Sequence, residues 1–231
     1  MNWPSKIIND INSILLPPLC FGCTVKLSRG ENLLCTVCRH DLPLTEYNYT
    51  QENAVDRIFY GRVRIEKAAS LLYFTTPGIV KNLLHYLKYK NQKEIGSFLG
   101  NWFGTQLRNE QVLQVDMVIP VPLHPKKQKK RGYNQVTNFG NAIANQLETS
   151  FEEDILQKTR HTKTQTKKKR MARTSDEAAL YVVSQPTRIK NKSILLVDDV
   201  ITTGATLEAC AKALQKAENV KIYIATMAFV P

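Results

Sequence analysis

The sequence has no apolar stretch long enough to cross a membrane, because its longest apolar runs fall well short of the roughly 18 residues that a span needs. The first segment, residues 1–20, also differs from a signal peptide, since Asn9, Asp10, Asn12 and Ser13 interrupt its apolar residues. This pattern predicts an amphipathic helix. With no export signal and no span, we expect a cytoplasmic protein, in which clustered cysteines hold metal more often than they form disulfides.

Two common phosphate-binding patterns are absent as well, namely GxxxxGK followed by Ser or Thr, and GxGxxG. Their absence removes the main support for a nucleoside triphosphatase. The chain has 231 residues, enough to bury a sizeable core, so we expect a globular protein with one main domain and a small accessory module. A formal net charge of +12 favours a polyanionic partner.

The segment ILLVDDVITTGAT, residues 194–206, joins a predicted buried strand to a predicted helix. The apolar run at 194–197 is typical of a parallel strand buried on both faces, and the strand is expected to end at Asp198 and Asp199. The following helix has apolar residues at i, i+3, i+4 and i+7, which are Leu207, Cys210, Ala211 and Leu214.

The chemistry of this connection follows from the start of the helix. The first amide groups of a helix lack intrahelical partners and lie at the positive end of its dipole, so a phosphate can accept several of their hydrogen bonds. Threonine hydroxyls add donors, and Gly204 lets the backbone approach a ligand closely. The aspartates can accept hydrogen bonds from sugar hydroxyls, directly or through a divalent cation and its waters. The segment predicts a site for a phosphorylated sugar; the alternative is an ordinary connection capped by threonine.

The ordered combination of an apolar run, an acidic pair and TTGAT resembles the signature of the type I phosphoribosyltransferases, which bind phosphoribosyl pyrophosphate (PRPP). The resemblance implies that Asp198 and Asp199 contact the ribose hydroxyls. It also implies that the 5'-phosphate is held by Thr202, Thr203, Gly204, Ala205 and Thr206.

Four of the five cysteines form two closely spaced pairs, Cys20 with Cys23 and Cys35 with Cys38. The spacing is close to that of zinc ribbons and short zinc fingers. Four thiolates complete a tetrahedron and leave no open coordination position, so we predict a structural zinc site. The alternatives are a disulfide or a redox pair. Cys210 lies on the apolar stripe of the last helix and is expected in the core.

A boundary between two units is predicted near residue 52. Residues 41–56 are polar and irregular, which is typical of a connection. We therefore assign residues 1–52 to an N-terminal helix and four-cysteine zinc module, and residues 53–231 to a phosphoribosyltransferase-like domain.

The first part of the main domain predicts two strands, at residues 57–63 and 68–75, followed by a helix capped by Thr76 with Pro77 in its first turn. The apolar face of this helix consists of Ile79, Val80, Leu83, Leu84 and Leu87. Its opposite face carries Lys81, His85, Lys88 and Lys90. We expect residues 57–110 to form part of a small hood.

A basic segment follows a predicted central strand at residues 115–121. Two prolines stiffen the chain just beyond this strand, where an open parallel sheet places its ligands. In PRPP-dependent enzymes the departing group is pyrophosphate, so we assign Lys126, Lys127 and Arg131 to pyrophosphate or another polyanion. The alternative is a solvated basic turn.

Taken together, PVPLHP, RGYNQ and VDDVITTGAT, in this order behind four cysteines, resemble the ComF family over nearly the whole chain. The resemblance implies an α/β fold, with a type I phosphoribosyltransferase-like parallel sheet flanked by helices, a small hood and an N-terminal zinc module. It further implies a link to DNA uptake in natural transformation, where some members handle imported single strands. Residues 131–135 would then lie beside the pyrophosphate position.

A second basic segment, residues 158–174, has no apolar periodicity and predicts a mobile loop that could close over the ligand. It contains the Thr-x2-Gln-Thr core of the ComF family at residues 162–166, followed by Arg170. Where relatives usually have Asn three residues later, this chain has Arg173. A basic lid and a basic nucleic-acid contact have the same sequence signature.

These features lead to two main hypotheses. An enzyme would transfer a phosphoribosyl group from PRPP, bound with Mg²⁺, to a nitrogen nucleophile or other acceptor, with Asp198 and Asp199 stabilising the sugar cation. No residue stands out as a general base, and no motif identifies the acceptor. Alternatively, a non-catalytic protein that handles single-stranded DNA would keep the pocket for PRPP, or a related sugar phosphate, as a sensor or phosphate platform. A regulator that responds to PRPP is a third hypothesis.

Overall fold

The computed structural model describes residues 17–109, 113–159 and 180–231. The predicted N-terminal helix and most of the predicted basic loop lie outside this part of the chain. The helices are α1 (Thr36–His40), α2 (Ala54–Arg57), α3 (Ile79–Tyr89), α4 (Glu94–Asn109), α5 (Pro125–Arg131), α6 (Thr137–Gln146), α7 (Pro186–Ile189) and α8 (Ala205–Leu214). The strands are β1 (Lys67–Tyr73), β2 (Met117–Pro120), β3 (Ser150–Phe151), β4 (Leu156–Lys158), β5 (Tyr181–Val183), β6 (Ser193–Ile201) and β7 (Lys221–Phe229).

A five-stranded parallel sheet in the order β1-β7-β6-β2-β3 forms the centre of the fold. The run at 194–197 is fully buried in β6 because both faces of the sheet are covered. Leu195 and Val197 pack in one apolar cluster with residues of α3, α4 and α6, whereas Ile194 and Leu196 pack in another with residues of α8. The predicted α/β class, a parallel sheet flanked by helices, is confirmed.

Two predictions about the strands were wrong in detail. The strand predicted as central is β2, which lies between β6 and β3, while β6 holds the centre. A buried apolar run shows that a strand is covered, but it does not show which strands it pairs with. β6 also continues beyond the acidic pair to Ile201, because Val200 and Ile201 still pair with Ala228 and Phe229 of β7.

The prediction of a strand at residues 57–63 was wrong as well, because the chain there forms the end of α2 and a series of turns. Asn53 starts α2 with a capping box: its side chain accepts from the backbone N–H groups of Val55 and Asp56, and the Asp56 carboxylate accepts from the N–H of Asn53. The second predicted strand is confirmed as β1. The next helix, α3, begins at Ile79, later than the predicted cap at Thr76.

On one face of the sheet, α4 packs closely along α6 and forms a second layer of helices. Glycines on α4 allow this approach: a Cβ atom on Gly100 would clash with the carbonyl oxygen of Phe139, and one on Gly104 would lie 2.8 Å from Gln146 Cβ. Two other parts of the predicted hood, the turns after α2 and the last turn of α3, contact the candidate site. Among the described helices, none combines the length and apolarity needed to span a membrane.

Candidate functional site

The acidic pair lies near the carboxyl end of the central strand. Asp199 is buried, with 9% of its surface exposed, and Asp198 is partly buried. Local hydrogen bonds orient both carboxylates: the backbone N–H of Asp199 donates to Asp198 Oδ1 at 2.8 Å, and that of Val200 donates to Asp199 Oδ1 at 2.6 Å. The pair is therefore fixed by its own backbone before any ligand binds.

The loop after β6 forms one side of a small recess at the start of α8. Thr202, Thr203 and Thr206 are exposed there, and Gly204 is the N-cap residue of α8, so the cap supplies no side-chain acceptor for the first amide groups of the helix. The recess has a cavity volume of about 60 Å³ and is lined by Asp198, Val200, Ile201, Thr202, Thr203, Gly204, Ala205, Thr206 and Leu207. A carboxylate, hydroxyl groups and a helix start thus border one space.

Gly204 is required for two reasons at this position. Its φ of 72° lies in the left-handed region, which favours glycine. A Cβ atom at Gly204 would also lie 2.5 Å from Ile58 Cγ2 and 3.3 Å from Phe59 Cε1. The turns after α2 therefore pack directly against the loop and set its shape.

Arg62, in the turns after α2, holds the same loop and the start of α8 through hydrogen bonds. Its NH1 group donates to the carbonyl oxygen of Thr203 at 2.6 Å, and its Nε and NH2 groups donate to Glu208 Oε2 on α8 at 2.9 and 2.5 Å. Sequence reasoning missed Arg62, because its segment was interpreted as a strand. No local pattern connects it to a helix 146 residues away.

Asp199 is also bound to residues from two other parts of the chain. Gln135 Nε2 donates to Asp199 Oδ2 at 2.7 Å, and Lys88 Nζ on α3 lies 2.9 Å from the same oxygen. Arg131 NH1 donates to Gln135 Oε1 at 2.5 Å. The predicted pyrophosphate residue Arg131 is therefore linked to the acidic pair through Gln135, and Lys88 is a site residue that sequence analysis missed.

The RGYNQ segment holds the last turn of α3 against the sheet. The hydroxyl of Tyr133 donates to the carbonyl oxygen of Leu87, and the Arg131 guanidinium lies over the Tyr89 ring, 5.3 Å from its centre. Asn134 Nδ2 donates to the carbonyl oxygen of Val121 at 3.0 Å, just beyond β2. This segment thus joins α3, β2 and β6 at one edge of the site.

The basic segment after β2 is a short helix, α5, rather than a loop. Pro125 occupies its first turn, and His124 caps it by accepting from the backbone N–H of Lys126 at 3.2 Å. Lys126 is exposed, while the side chain of Lys127 lies outside the described part of the structure. Because α5 follows the carboxyl end of β2, beside β6, its cations lie at the same edge of the sheet as the acidic pair.

Burial and the neighbouring Asp199 carboxylate raise the pKa of Asp198 to about 8. The backbone N–H of Asp199 and the cations Lys88 and Lys158 act in the opposite direction. Burial also raises the pKa of Cys210, which lies in the core as the sequence predicted. The two adjacent carboxylates therefore have unequal surroundings.

The four N-terminal cysteines converge in a separate cluster, with their sulfur atoms all within 4.8 Å of one another. Four thiolates about 2.3 Å from a zinc ion in a tetrahedron would lie about 3.8 Å apart, and the Cys23 and Cys35 sulfurs are 3.7 Å apart. Backbone N–H groups of Gly22 and Cys35 donate to Cys20 Sγ, each at 3.3 Å. Burial opposes ionisation of Cys20, but backbone N–H groups outweigh it and lower the pKa of this thiol to about 7. The arrangement fits a structural zinc site.

The cysteine cluster docks on the same helix that supplies Lys88. Asn82 Nδ2 on α3 donates to the carbonyl oxygen of Gly22 at 2.7 Å, and the Phe21 and Tyr86 rings are 4.8 Å apart. A Cβ atom on Gly22 would lie 2.8 Å from Cys38 Sγ, so this glycine permits a close approach. Helix α3 therefore contacts both the cysteine cluster and the acidic site.

The segment that contains the acidic pair is similar to a known family of domains. Residues 137–231 match the phosphoribosyl transferase domain, a range that contains β6, the loop after it and α8. This part of the chain is therefore similar to a phosphoribosyl transferase domain, in agreement with the fold class expected from sequence.

Two named proteins are similar to most of the chain. Competence protein F of Haemophilus influenzae is 25% identical over 213 residues, covering 85% of this chain and 90% of the relative. DNA utilization protein YhgH of Shigella flexneri is 25% identical over 217 residues, covering 87% of this chain and 92% of the relative. With the phosphoribosyl transferase domain and the four-cysteine cluster, these relatives confirm the resemblance to the ComF family.

Among solved structures, the chain is similar to the glutamine phosphoribosylpyrophosphate amidotransferase from B. subtilis, with a TM-score of 0.42 and 18% identity. The similarity covers 62% of this chain and 30% of that chain. This protein thus spans less than a third of the length of that solved chain.

Proposed function

We propose that the protein binds PRPP, or a closely related sugar phosphate, at the recess between β6 and α8. The observation that carries this proposal is the shared recess: it is bordered by the Asp198 carboxylate, exposed threonine hydroxyls and the glycine-capped start of α8. A sugar phosphate carries hydroxyl donors for the carboxylate and phosphate acceptors for the helix amides and hydroxyls. The residues assigned to the 5'-phosphate are Thr202, Thr203, Gly204, Ala205 and Thr206.

In this proposal the acidic pair binds the ribose and the basic edge binds the pyrophosphate. Asp198 and Asp199 accept hydrogen bonds from the ribose hydroxyls. Lys126, Lys127 and Arg131 attract the pyrophosphate, and Mg²⁺ bound with PRPP would neutralise further charge on its oxygens. The cations belong to α5 and the RGYNQ segment, which begin at the carboxyl end of β2 beside the acidic strand.

We infer that the protein transfers the phosphoribosyl group. A nitrogen nucleophile would form a bond to the anomeric carbon while the bond from that carbon to pyrophosphate breaks, so that pyrophosphate leaves with the bonding electrons. The carboxylates would stabilise positive charge on the sugar, and the cations would stabilise negative charge on the departing group. A link to DNA uptake is supported by the relatives, which are named for competence and DNA utilization.

The proposal is tested by mixing the purified protein with isotopically labelled PRPP, Mg²⁺ and pools of nucleobases or amines. We expect PRPP to bind and label to move to an acceptor, and Asp198→Asn or Asp199→Asn to abolish turnover while zinc content stays unchanged. Asp154→Asn is the control, because Asp154 lies in an exposed pair with Arg188. Failure of the wild-type protein to bind PRPP would remove the proposed function.

A second candidate is a non-catalytic protein that handles single-stranded DNA and keeps the pocket as a sensor or phosphate platform. The net charge of +12 and the exposed basic side chains of α5 favour it. Single strands should then bind with a steep salt dependence, and replacing Lys126 and Lys129 by Gln should reduce the slope by about 0.7 per lost phosphate contact. Lys192→Gln is the control, since Lys192 pairs with Asp116 at the opposite end of β6. An unchanged slope in the double variant would count against this candidate.

A further inference from the structure

We propose that Lys88 is a positioning residue of the sugar-phosphate site, which holds the Asp199 carboxylate against Gln135 and offsets its charge so that an anionic ligand can approach the acidic pair. This inference rests on the proposed function and assigns a task to a residue outside the matched domain, at residues 137–231.

The contacts of Asp199 show why its carboxylate has a fixed orientation. Lys88 Nζ and Gln135 Nε2 both bind Oδ2, at 2.9 and 2.7 Å, and the backbone N–H of Val200 binds Oδ1 at 2.6 Å. These donors occupy three of the roughly four acceptor positions of a carboxylate. Asp199 therefore presents little more than one acceptor to a ligand, and Asp198 becomes the main acceptor of the pair.

The position of Lys88 is itself fixed by neighbours on α3. The residue before it, Leu87, is buried and accepts a hydrogen bond from the Tyr133 hydroxyl through its carbonyl oxygen. The residue after it, Tyr89, lies under the Arg131 guanidinium. The last turn of α3 is thus held on both sides of Lys88 by the RGYNQ segment, and the ammonium group reaches Asp199 from a constrained backbone.

The charges explain why such a residue is needed. An uncompensated charge on the buried Asp199 carboxylate would repel a ligand that carries phosphate and pyrophosphate groups, and this repulsion is strong where protein excludes water. Only 21% of the Lys88 side chain and 12% of the Asp199 side chain are exposed. The ion pair is therefore weakly screened, and Lys88 can neutralise one carboxylate without leaving its place.

The test uses Lys88→Met, which keeps an unbranched side chain, one atom shorter, but removes its charge and donors. In the protein without ligand, we expect the NMR signal of the Gln135 side-chain amide to move, because Asp199 loses the cation that shares its Oδ2. Binding of PRPP with Mg²⁺, measured by calorimetry, should weaken about tenfold or more. Lys88→Arg should restore both measurements to a large extent, and Lys81→Met, an exposed lysine on the same helix, should leave both unchanged.

The two measurements separate this inference from the proposed function. If the wild-type protein binds no PRPP, the proposed function fails, while the Gln135 signal still decides whether Lys88 orients Asp199. If the wild-type protein binds PRPP, and Lys88→Met changes neither the signal nor the affinity, the role of Lys88 is overturned. Should Lys88→Met fail to fold, Lys88→Gln replaces it: an amide can still donate to Asp199, so we expect a nearly preserved Gln135 signal with weaker PRPP binding. Unchanged affinity in Lys88→Gln would contradict the charge argument.

Discussion

The cysteine cluster and the acidic site are assembled in opposite ways. All four thiols of the cluster come from one stretch of chain, residues 20–38. The acidic site combines Arg62 from the turns after α2, Lys88 from α3, the RGYNQ segment and the loop after β6. The spacing of residues in the sequence is enough to predict a site built from one stretch of chain. For a site built from distant segments, the sequence predicts only those parts whose residues are adjacent in the chain.

The two regions nevertheless share helix α3. Its middle holds the cysteine cluster through Asn82, and its last turn reaches Asp199 through Lys88. A change at the cluster can therefore disturb the acidic site through this one helix. Variants in the cysteine cluster and in the loop after β6 test this connection.

The largest effect is expected from Cys38→Ser. Zinc held by four cysteines supplies an apparent binding free energy of about 10–16 kcal/mol in small zinc modules, and Cys38 is a buried member of the cluster. We expect the variant to lose its bound zinc and to unfold at a lower temperature, as measured by elemental analysis and thermal unfolding. PRPP affinity should also fall, because α3 loses its support.

Cys210→Ala is the control for this prediction. Cys210 is equally buried but lies on α8, in the other apolar cluster. Its removal should leave zinc content at one ion per chain. A Cys38→Ser protein that kept a full complement of zinc would show that the four thiols are not the ligand set.

A smaller and more local effect is expected from Gly204→Ala. Alanine at a φ of 72° is strained, and its Cβ atom would lie 2.5 Å from Ile58 Cγ2. We expect a loss of about 1–3 kcal/mol in the free energy of unfolding, together with weaker PRPP binding and unchanged zinc content. Urea unfolding and calorimetry measure the two effects.

Gly61→Ala is a matched control, because Gly61 has a φ of 70° and an added Cβ atom would meet nothing within 4 Å. The difference between the two variants therefore isolates packing against Ile58 from backbone strain. Equal losses of stability, with equal PRPP affinity, would mean that the turns after α2 do not shape the loop.

The comparison also explains what could be predicted from sequence. The strand and helix around Asp198 were predictable because an apolar run, an acidic pair and a glycine-containing turn are adjacent in the chain. The four cysteines were predictable for the same reason. The sequence places Lys88 on the polar face of its helix. Its pairing with Asp199 depends on how α3 packs, and the hydrophobic periodicity of a helix does not show how that helix packs.

The segment around Arg62 shows a different cause of failure. Its β-branched and aromatic residues form a β-like run that suggests a strand, but the capping box of Asn53 and Asp56 starts a helix just before it. Side-chain hydrogen bonds to the backbone thus decided the local structure against the apolar pattern. With the segment interpreted as a strand, its contact with Thr203 and Glu208 could not be expected.

A dependence of stability on pH is also expected, and Asp198 is one of the groups that contribute to it. In the folded protein, burial and the Asp199 charge raise the pKa of Asp198 from 3.8 to about 8. Between these values the folded state binds a proton at Asp198 that the unfolded chain has released, so the contribution of Asp198 to stability should fall as pH rises from about 4 to about 8 and then level off. Asp198→Asn cannot bind this proton, so the difference in stability between the wild-type protein and this variant should change over this range, measured by urea unfolding at a series of pH values.

Asp154→Asn, at an exposed ion pair, should keep the wild-type dependence. An identical pH dependence in the wild-type protein and Asp198→Asn would mean that Asp198 is ionised as readily in the folded chain as in the unfolded one. Burial and the neighbouring Asp199 charge would then have no electrostatic effect on Asp198. The cysteine cluster offers no such test, because a bound zinc ion would keep its thiols ionised over this range.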